Sequence, residues 1–214
     1  MKKLIAFAVA AAAAVSVATA QIDLTVGARG IFGIGVGSTL GLSEKQNLDL
    51  GKSLNFGGAA FAKVPLYKGL GAQVEIGFTY NSYGRKEEGV KYSYSYKAID
   101  IPLLVAYDIK VTDELTITPL FGPKFSIPVG KATGKSGSSE ADVDIYNSVL
   151  FGIVTGVSAS YKVGPGAVVG DIRYNNGVSH FATGKKDDNE YNEGGKFVPR
   201  NLQLSVGYQM TLPL

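Results

Sequence analysis

Eight stretches of this chain place apolar side chains on every second residue, and that period of two constrains the fold more than any other feature of the sequence. The last is NLQLSVGYQMTLPL, 201–214. Leu202, Leu204, Val206, Tyr208, Met210 and Leu212 share one parity, while Asn201, Gln203, Ser205, Gly207, Gln209 and Thr211 share the other. Successive side chains of a β-strand point to opposite faces, so such a stretch reads as a strand with one apolar face. A strand of this kind needs partners along both edges and an apolar cover on one face.

Seven earlier stretches repeat the pattern. Over 22–37, Leu24, Val26, Phe32 and Ile34 oppose Asp23, Thr25 and Arg29. Over 54–67, Leu54, Phe56, Ala60 and Val64 oppose Asn55 and Lys63; over 70–82, Val74, Ile76, Phe78 and Tyr80 oppose Gln73, Glu75 and Thr79. Over 92–109, Ile99, Ile101, Leu103, Val105 and Tyr107 oppose Asp100 and Asp108. Tyr92, Tyr94 and Tyr96 fall on the opposite parity from these apolar residues, which predicts a bulge near Lys97. The remaining strands are predicted at 115–129, 145–163 and 166–175, with Lys124, Ser158, Asp171 and Arg173 on the polar parity. An even count lets the first and last strands pair antiparallel and close a barrel.

The connections alternate in length. YKGLG (67–71), VTDE (111–114) and VGPG (163–166) are tight turns, whereas 38–53, 83–92, 130–144 and 176–199 are long and polar. Short turns on one rim and long loops on the other are the asymmetry of an outer-membrane barrel. A soluble barrel of the lipocalin kind would also alternate, with its apolar face turned inward. Three features favour lipid outside. The middle of the apolar parity carries no charge, the polar parity is dense in small residues (Gly27, Gly33, Gly57, Gly77, Gly122, Gly152, Gly156, Gly207), and Tyr80, Tyr107 and Tyr161 lie near ends of the apolar face. The expected fold is all-β, an eight-stranded antiparallel up-and-down transmembrane barrel with short periplasmic turns and long extracellular loops.

The N-terminus agrees. Lys2 and Lys3 precede the apolar run LIAFAVAAAAAVSVA and the small-x-small site Ala18-Thr19-Ala20, the layout of a cleaved secretory signal over 1–20. The barrel domain is expected over 21–214. Removing the signal takes Lys2 and Lys3 from 21 basic residues, leaving 19 against 18 acidic, so the net charge falls from +3 to +1 and no nucleic-acid partner is expected. The chain has no Cys, which excludes disulfides and a lipoprotein anchor.

SYKAIDIPLLVAYDI, TPLFGPKFSIPVG, DIRYNNGVSHF and the terminal LSVGYQMTL resemble the small outer-membrane β-barrel proteins, the OmpX-like and PorT-like group. The resemblance runs over nearly the whole mature chain and implies a fold more than a function. Ser205-x-Gly207-x-x-Met210-x-Leu212 resembles the C-terminal signal read by the barrel assembly machinery, although the chain ends in Pro213-Leu214 where such proteins often end in Phe. The implied partners are outer-membrane lipid or lipopolysaccharide, the barrel assembly machinery and periplasmic chaperones, and an extracellular ligand at the loops. The implied state is a monomer with no cofactor.

Function has two places to reside. In the lumen, Arg29, Lys63, Glu75, Asp100, Lys124, Asp171 and Arg173 stand on the polar parity and are expected to form a charge network. Buried charges require partners, and eight strands leave room mainly for side chains. The alternative is a narrow polar pore, its outer half thinned by Gly33, Gly35 and Gly37. In the loops, Asp187, Asp188 and Glu190 could meet a divalent cation but lack EF-hand spacing, so no metal site is assigned. His180, the only histidine, lies beside Ser179, and some small outer-membrane barrels modify lipid A. Adjacent residues of an extended segment point apart, and no third group is placed to orient them, so the expectation is no enzyme and no catalytic residue. The expected role is structural or loop-mediated binding or adhesion; a porin-like channel comes second and a lipid A enzyme last.

Overall fold

The computed structural model describes residues 23–36, 38–43, 46–50, 52–87, 90–136, 139–143, 149–179, 181–182, 186–187, 190–191 and 196–213. The predicted export signal over 1–20, Gly37, His180 and Asp188 lie outside them. Every regular element among the described residues is a β-strand.

Eight long strands form the barrel: β1 (Asp23–Gly35), β2 (Lys52–Tyr67), β3 (Leu70–Glu87), β4 (Val90–Tyr107), β5 (Leu115–Ser136), β6 (Leu150–Val163), β7 (Gly166–Gly177) and β8 (Arg200–Pro213). Each pairs antiparallel with its sequence neighbours. The ring closes between β1 and β8, in register from Asp23↔Pro213 to Gly35↔Asn201. Paired residues can be followed once round, from Val105 through Phe121, Thr155, Tyr174, Leu202, Ile34, Leu54 and Ser82. The path returns to β4 at Ser95, ten residues from its start. Such a stagger means tilted strands, and eight strands enclose an interior that side chains alone can fill.

The two parities separate as the pattern predicts. Phe32, Phe56, Ile76, Phe78, Val105, Phe121, Ile172, Leu204 and Val206 face outward and are exposed, while Thr25, Arg29, Gln73, Glu75, Asp171, Arg173 and Gln203 face inward and are buried. An outer wall of exposed large apolar residues above a buried polar interior reverses a soluble barrel.

The interior is less uniformly polar than the sequence pattern implies. Leu104, Ala106, Leu120 and Val154 form an apolar cluster on the inward wall of β4–β6, and Phe61 is buried on the inward face of β2. The bulge predicted near Lys97 lies on the opposing strand. Pairing of β3 with β4 runs without a shift from Val90 to Asp100. On the other side of β4, the register jumps from Lys97↔Val129 to Ser95↔Thr133, so the extra residues belong to β5. Gly130 there has φ 75°, a backbone geometry that favours glycine. Tyr96 therefore keeps the inward parity of Asp100, and its ring packs within the lumen against Tyr83, Ala98, Ala132 and Leu150.

The segments expected as long loops are partly ordered as strands. β3, β4 and β5 run well past the apolar belt, and Ser139–Val143 pairs back onto β5. Ser38–Ser43, Gln46–Leu50, Lys196–Val198 and Phe181–Ala182 form a four-stranded sheet, which joins the β1–β2 and β7–β8 connections.

Inward glycines set how closely the wall packs on itself. A Cβ at Gly122 would lie 2.0 Å from the Leu103 carbonyl oxygen, and one at Gly207 would lie 2.1 Å from that of Ala28. Gly122→Ala is predicted to destabilise the barrel by about 1–3 kcal/mol through overpacking. The check is the urea midpoint for loss of the heat-modifiable gel band; an unchanged midpoint would contradict the close packing.

Candidate functional site

Four charged side chains meet across the middle of the lumen. Arg29 comes from β1, Glu75 from β3, and Asp171 and Arg173 from β7. Arg29 Nη2 lies 2.6 Å from Glu75 Oε1, and Arg29 Nη1 donates to Asp171 Oδ2. Arg173 Nη1 donates to both Glu75 oxygens at 2.9 and 3.0 Å, and its Nη2 lies 3.2 Å from Asp171 Oδ2. Two cations and two carboxylates make the quartet neutral. All four residues are buried, so each charge depends on the others in place of water. Gln73 Nε2 donates to Glu75 at 2.6 Å and the Ser205 hydroxyl donates to Asp171 at 2.6 Å, filling further acceptor positions. Because β3 and β7 are not adjacent in the ring, these contacts bridge the bore.

Smaller clusters lie on either side. Toward the short turns, Lys63 Nζ lies 2.7 Å from both oxygens of Asp108, which also accepts from the Thr118 hydroxyl at 2.7 Å. The Arg29 guanidinium sits 4.4 Å from the centre of the Phe61 ring, a cation–π contact. Toward the long loops, Asp100 accepts from the Thr79 and Ser126 hydroxyls, and Lys124 Nζ lies 3.8 Å from it. Asn55 Nδ2 donates to Asn81 at 2.7 Å and Asn175 Nδ2 to Asn201 at 2.9 Å. Above these amides the Tyr83 and Tyr96 rings stack, 6.2 Å apart and 10° from parallel.

Among the described residues, internal cavities of about 10, 20 and 20 Å³ punctuate this column. Each has room on the order of one water. The smallest is bounded by Arg29, Phe61, Lys63 and Thr118 on the short-turn side of the quartet. The other two share Asp100, Lys124 and Asn175 on the long-loop side.

The residues singled out from sequence are therefore distributed as follows. Arg29, Glu75, Asp171 and Arg173 come together. Lys124 meets Asp100. Lys63 joins none of these and pairs with Asp108, a polar-parity residue whose partnership sequence spacing did not indicate. Phe61 was missed because it breaks the polar parity of its strand. The space left by Gly33 is occupied by the Gln203 and Asn55 side chains, whose atoms stand 3.0 and 3.1 Å from where its Cβ would be, so the glycine does not open a pore there. Of the proposed assembly signal, Ser205 and Gly207 face inward, Ser205 on Asp171 and Gly207 against Arg29, while Met210 and Leu212 are exposed on the outer face. Ser179 caps the chain: its hydroxyl accepts from the Phe151 amide at 2.6 Å and donates to the Phe151 carbonyl at 3.3 Å. His180 and the side chains of Asp187, Asp188 and Glu190 lie outside the described residues.

Comparison with known proteins agrees with this architecture. A family model described as outer membrane protein beta-barrel domain matches residues 13–183. The outer membrane protein OprG from Pseudomonas aeruginosa is 7% identical, with a TM-score of 0.60 over 91% of this chain and 98% of that one. A major outer membrane protein from Thermus thermophilus is 19% identical, with a TM-score of 0.53 over 87% and 99%. Neisserial surface protein A is 21% identical over 87% and 96%, with a TM-score of 0.43. No curated protein matches the chain.

Neutrality of the quartet sets its response to mutation. Glu75→Gln leaves Arg29 and Arg173 sharing a single carboxylate and should cost about 3–5 kcal/mol, as when one partner of a buried pair is removed. Arg29→Met should cost a similar amount through the opposite imbalance. The double variant, which restores neutrality, should recover part of the loss. Urea unfolding midpoints of the three variants check this; strict additivity would argue against the coupling.

Proposed function

We propose a sealed, non-enzymatic role for this chain, which belongs to the outer membrane protein beta-barrel domain family. Its place is the bacterial outer membrane, as the family and the barrel fold of its structural neighbours indicate. In this reading the barrel is a rigid membrane-embedded stand, and what it contacts is met by its extracellular face as a structural, binding or adhesion surface. The observation that carries it is the neutral quartet of Arg29, Glu75, Asp171 and Arg173, which stands between the lower cavity and the two upper ones. The four-stranded sheet above the barrel supports the same view: it ties two connections into one surface, and binding residues commonly sit on segments positioned by a rigid scaffold.

Residues 1–20 serve export in this proposal. Ser205, Gly207, Met210 and Leu212 address the assembly machinery, periplasmic chaperones escort the unfolded chain, and the finished barrel is a monomer without cofactor. Ser179, engaged with the backbone of Phe151, has the bonding of a structural residue.

A narrow channel is the second reading. The three cavities lie along one column, and the upper two share Asp100, Lys124 and Asn175. Opening the quartet would connect all three.

Planar-bilayer conductance separates the readings. Refolded wild type should show no stepwise current, whereas replacing all four quartet residues with Ala should produce small steps. Steps in the wild type that change when Lys124 or Arg29 is neutralised would overturn the sealed reading in favour of a channel. Lipid A of altered mass on expression would overturn the non-enzymatic part.

A further inference from the structure

The outer wall carries a hollow that the fold does not require. Gly30 and Gly58 are paired across β1 and β2, and both belong to the lipid-facing parity. A Cβ at Gly30 would meet nothing closer than 4.0 Å, and one at Gly58 nothing closer than 3.5 Å. Side chains would fit at both positions without disturbing the backbone, unlike the inward Gly122 and Gly207. The two glycines floor a groove of about 810 Å³, walled by Phe32, Phe56, Phe78 and Tyr80 of β1–β3 and by Leu204 and Val206 of β8. The Phe56 and Tyr80 rings lie 5.0 Å apart and brace one side.

The groove leads toward two lysines. Tyr80 is paired with Lys97 on β4, which is exposed on the lipid-facing parity. Across the β4–β5 seam, the bulge that faces residues 95–97 presents Lys131, also exposed. Among the residues whose side chains are described, neither lysine has a carboxylate within ion-pair reach. The ring of paired residues rises toward the long-loop rim from β1 to β4, following the ten-residue stagger, so the lysines stand above the groove at the level of lipid headgroups. Exposed ammonium groups at that depth attract anionic headgroups.

We infer that this face binds one phosphorylated glycolipid of the outer leaflet, an acyl chain lying over Gly30 and Gly58 and a phosphate held between Lys97 and Lys131. Location decides the occupant: a groove walled by aromatic rings in the hydrocarbon belt, ending at two exposed cations, matches a lipid that is apolar along its length and anionic at its head. The inference rests on the outer-membrane location and is independent of whether the lumen conducts.

Native mass spectrometry of the refolded mature barrel in detergent tests it, with lipid A, dephosphorylated lipid A and phosphatidylcholine as separate probes. The expected result is one retained lipid A, with weaker retention of the other two. Gly58→Leu should fill the groove and abolish retention of lipid A. Neutralising Lys97 and Lys131 to Gln should weaken lipid A binding about fivefold for each lysine and leave dephosphorylated lipid A unaffected. All variants should keep wild-type heat-modifiability, which guards against misfolding as the cause. Equal retention of phosphatidylcholine and lipid A, or lipid A binding unchanged by Gly58→Leu, overturns the inference. A protein dimer that Gly58→Leu dissociates would overturn it also, assigning the groove to a second copy.

Discussion

Hydrocarbon offers no hydrogen bonds, and each backbone amide or carbonyl left unpaired there costs several kcal/mol. A chain of amphipathic strands in that medium must close on itself. Here the closing seam is the pairing of β1 with β8 along the whole of Asp23–Gly35. Closure then determines the rest. Eight strands joined with a ten-residue stagger are tilted, and the bore they enclose is narrow. A narrow bore brings opposite walls within reach of one another's side chains. It also leaves little depth for inward residues, which is why Gly122 and Gly207 face backbone oxygens of the adjacent strand at distances no Cβ could occupy.

Within that bore the side chains sort themselves by sector. The inward wall of β4–β6 carries Leu104, Ala106, Leu120 and Val154, and the charged quartet comes from β1, β3 and β7. The grouping follows from the cost of burying charge. A guanidinium facing the apolar sector would find no acceptor, whereas Arg29 beside Glu75 and Asp171 finds two carboxylates. Because the quartet spans non-adjacent strands, its bonds resist ovalling of the barrel in a way that ladder hydrogen bonds, which act only between neighbours, do not.

The fold was legible in the sequence because its two dominant signals, parity and turn length, are local. Leu204 outward and Ser205 inward could be read from alternation alone. The lumen was legible only in part, because parity tells which side chains point inward and not which of them meet. Lys63 illustrates the gap. It shares the inward parity of Glu75 on the adjoining strand, yet pairs with Asp108, because the stagger displaces neighbouring strands along the axis. The tyrosines of β4 mark a second gap. Tyr94 and Tyr96 look out of phase when large aromatics are assumed to face lipid, and are in phase once Tyr96 is seen stacking on Tyr83 inside the lumen. Composition at a position is a weak guide to its face when the lumen itself needs bulky filling.

Glycine serves two unlike purposes on the two faces of this wall. Inward, its lack of a Cβ relieves a contact, and substitution meets backbone. Outward, at Gly30 and Gly58, no contact needs relieving. A glycine inside a strand forgoes about 0.5–1 kcal/mol relative to alanine through backbone entropy, and at an outward position it also forgoes side-chain contact with lipid. Two paired glycines set among Phe32, Phe56, Phe78, Tyr80, Leu204 and Val206 therefore sit against the local preference for strand stability. A surface shaped against that preference is shaped by something outside the fold, and on this face the membrane supplies acyl chains and headgroups.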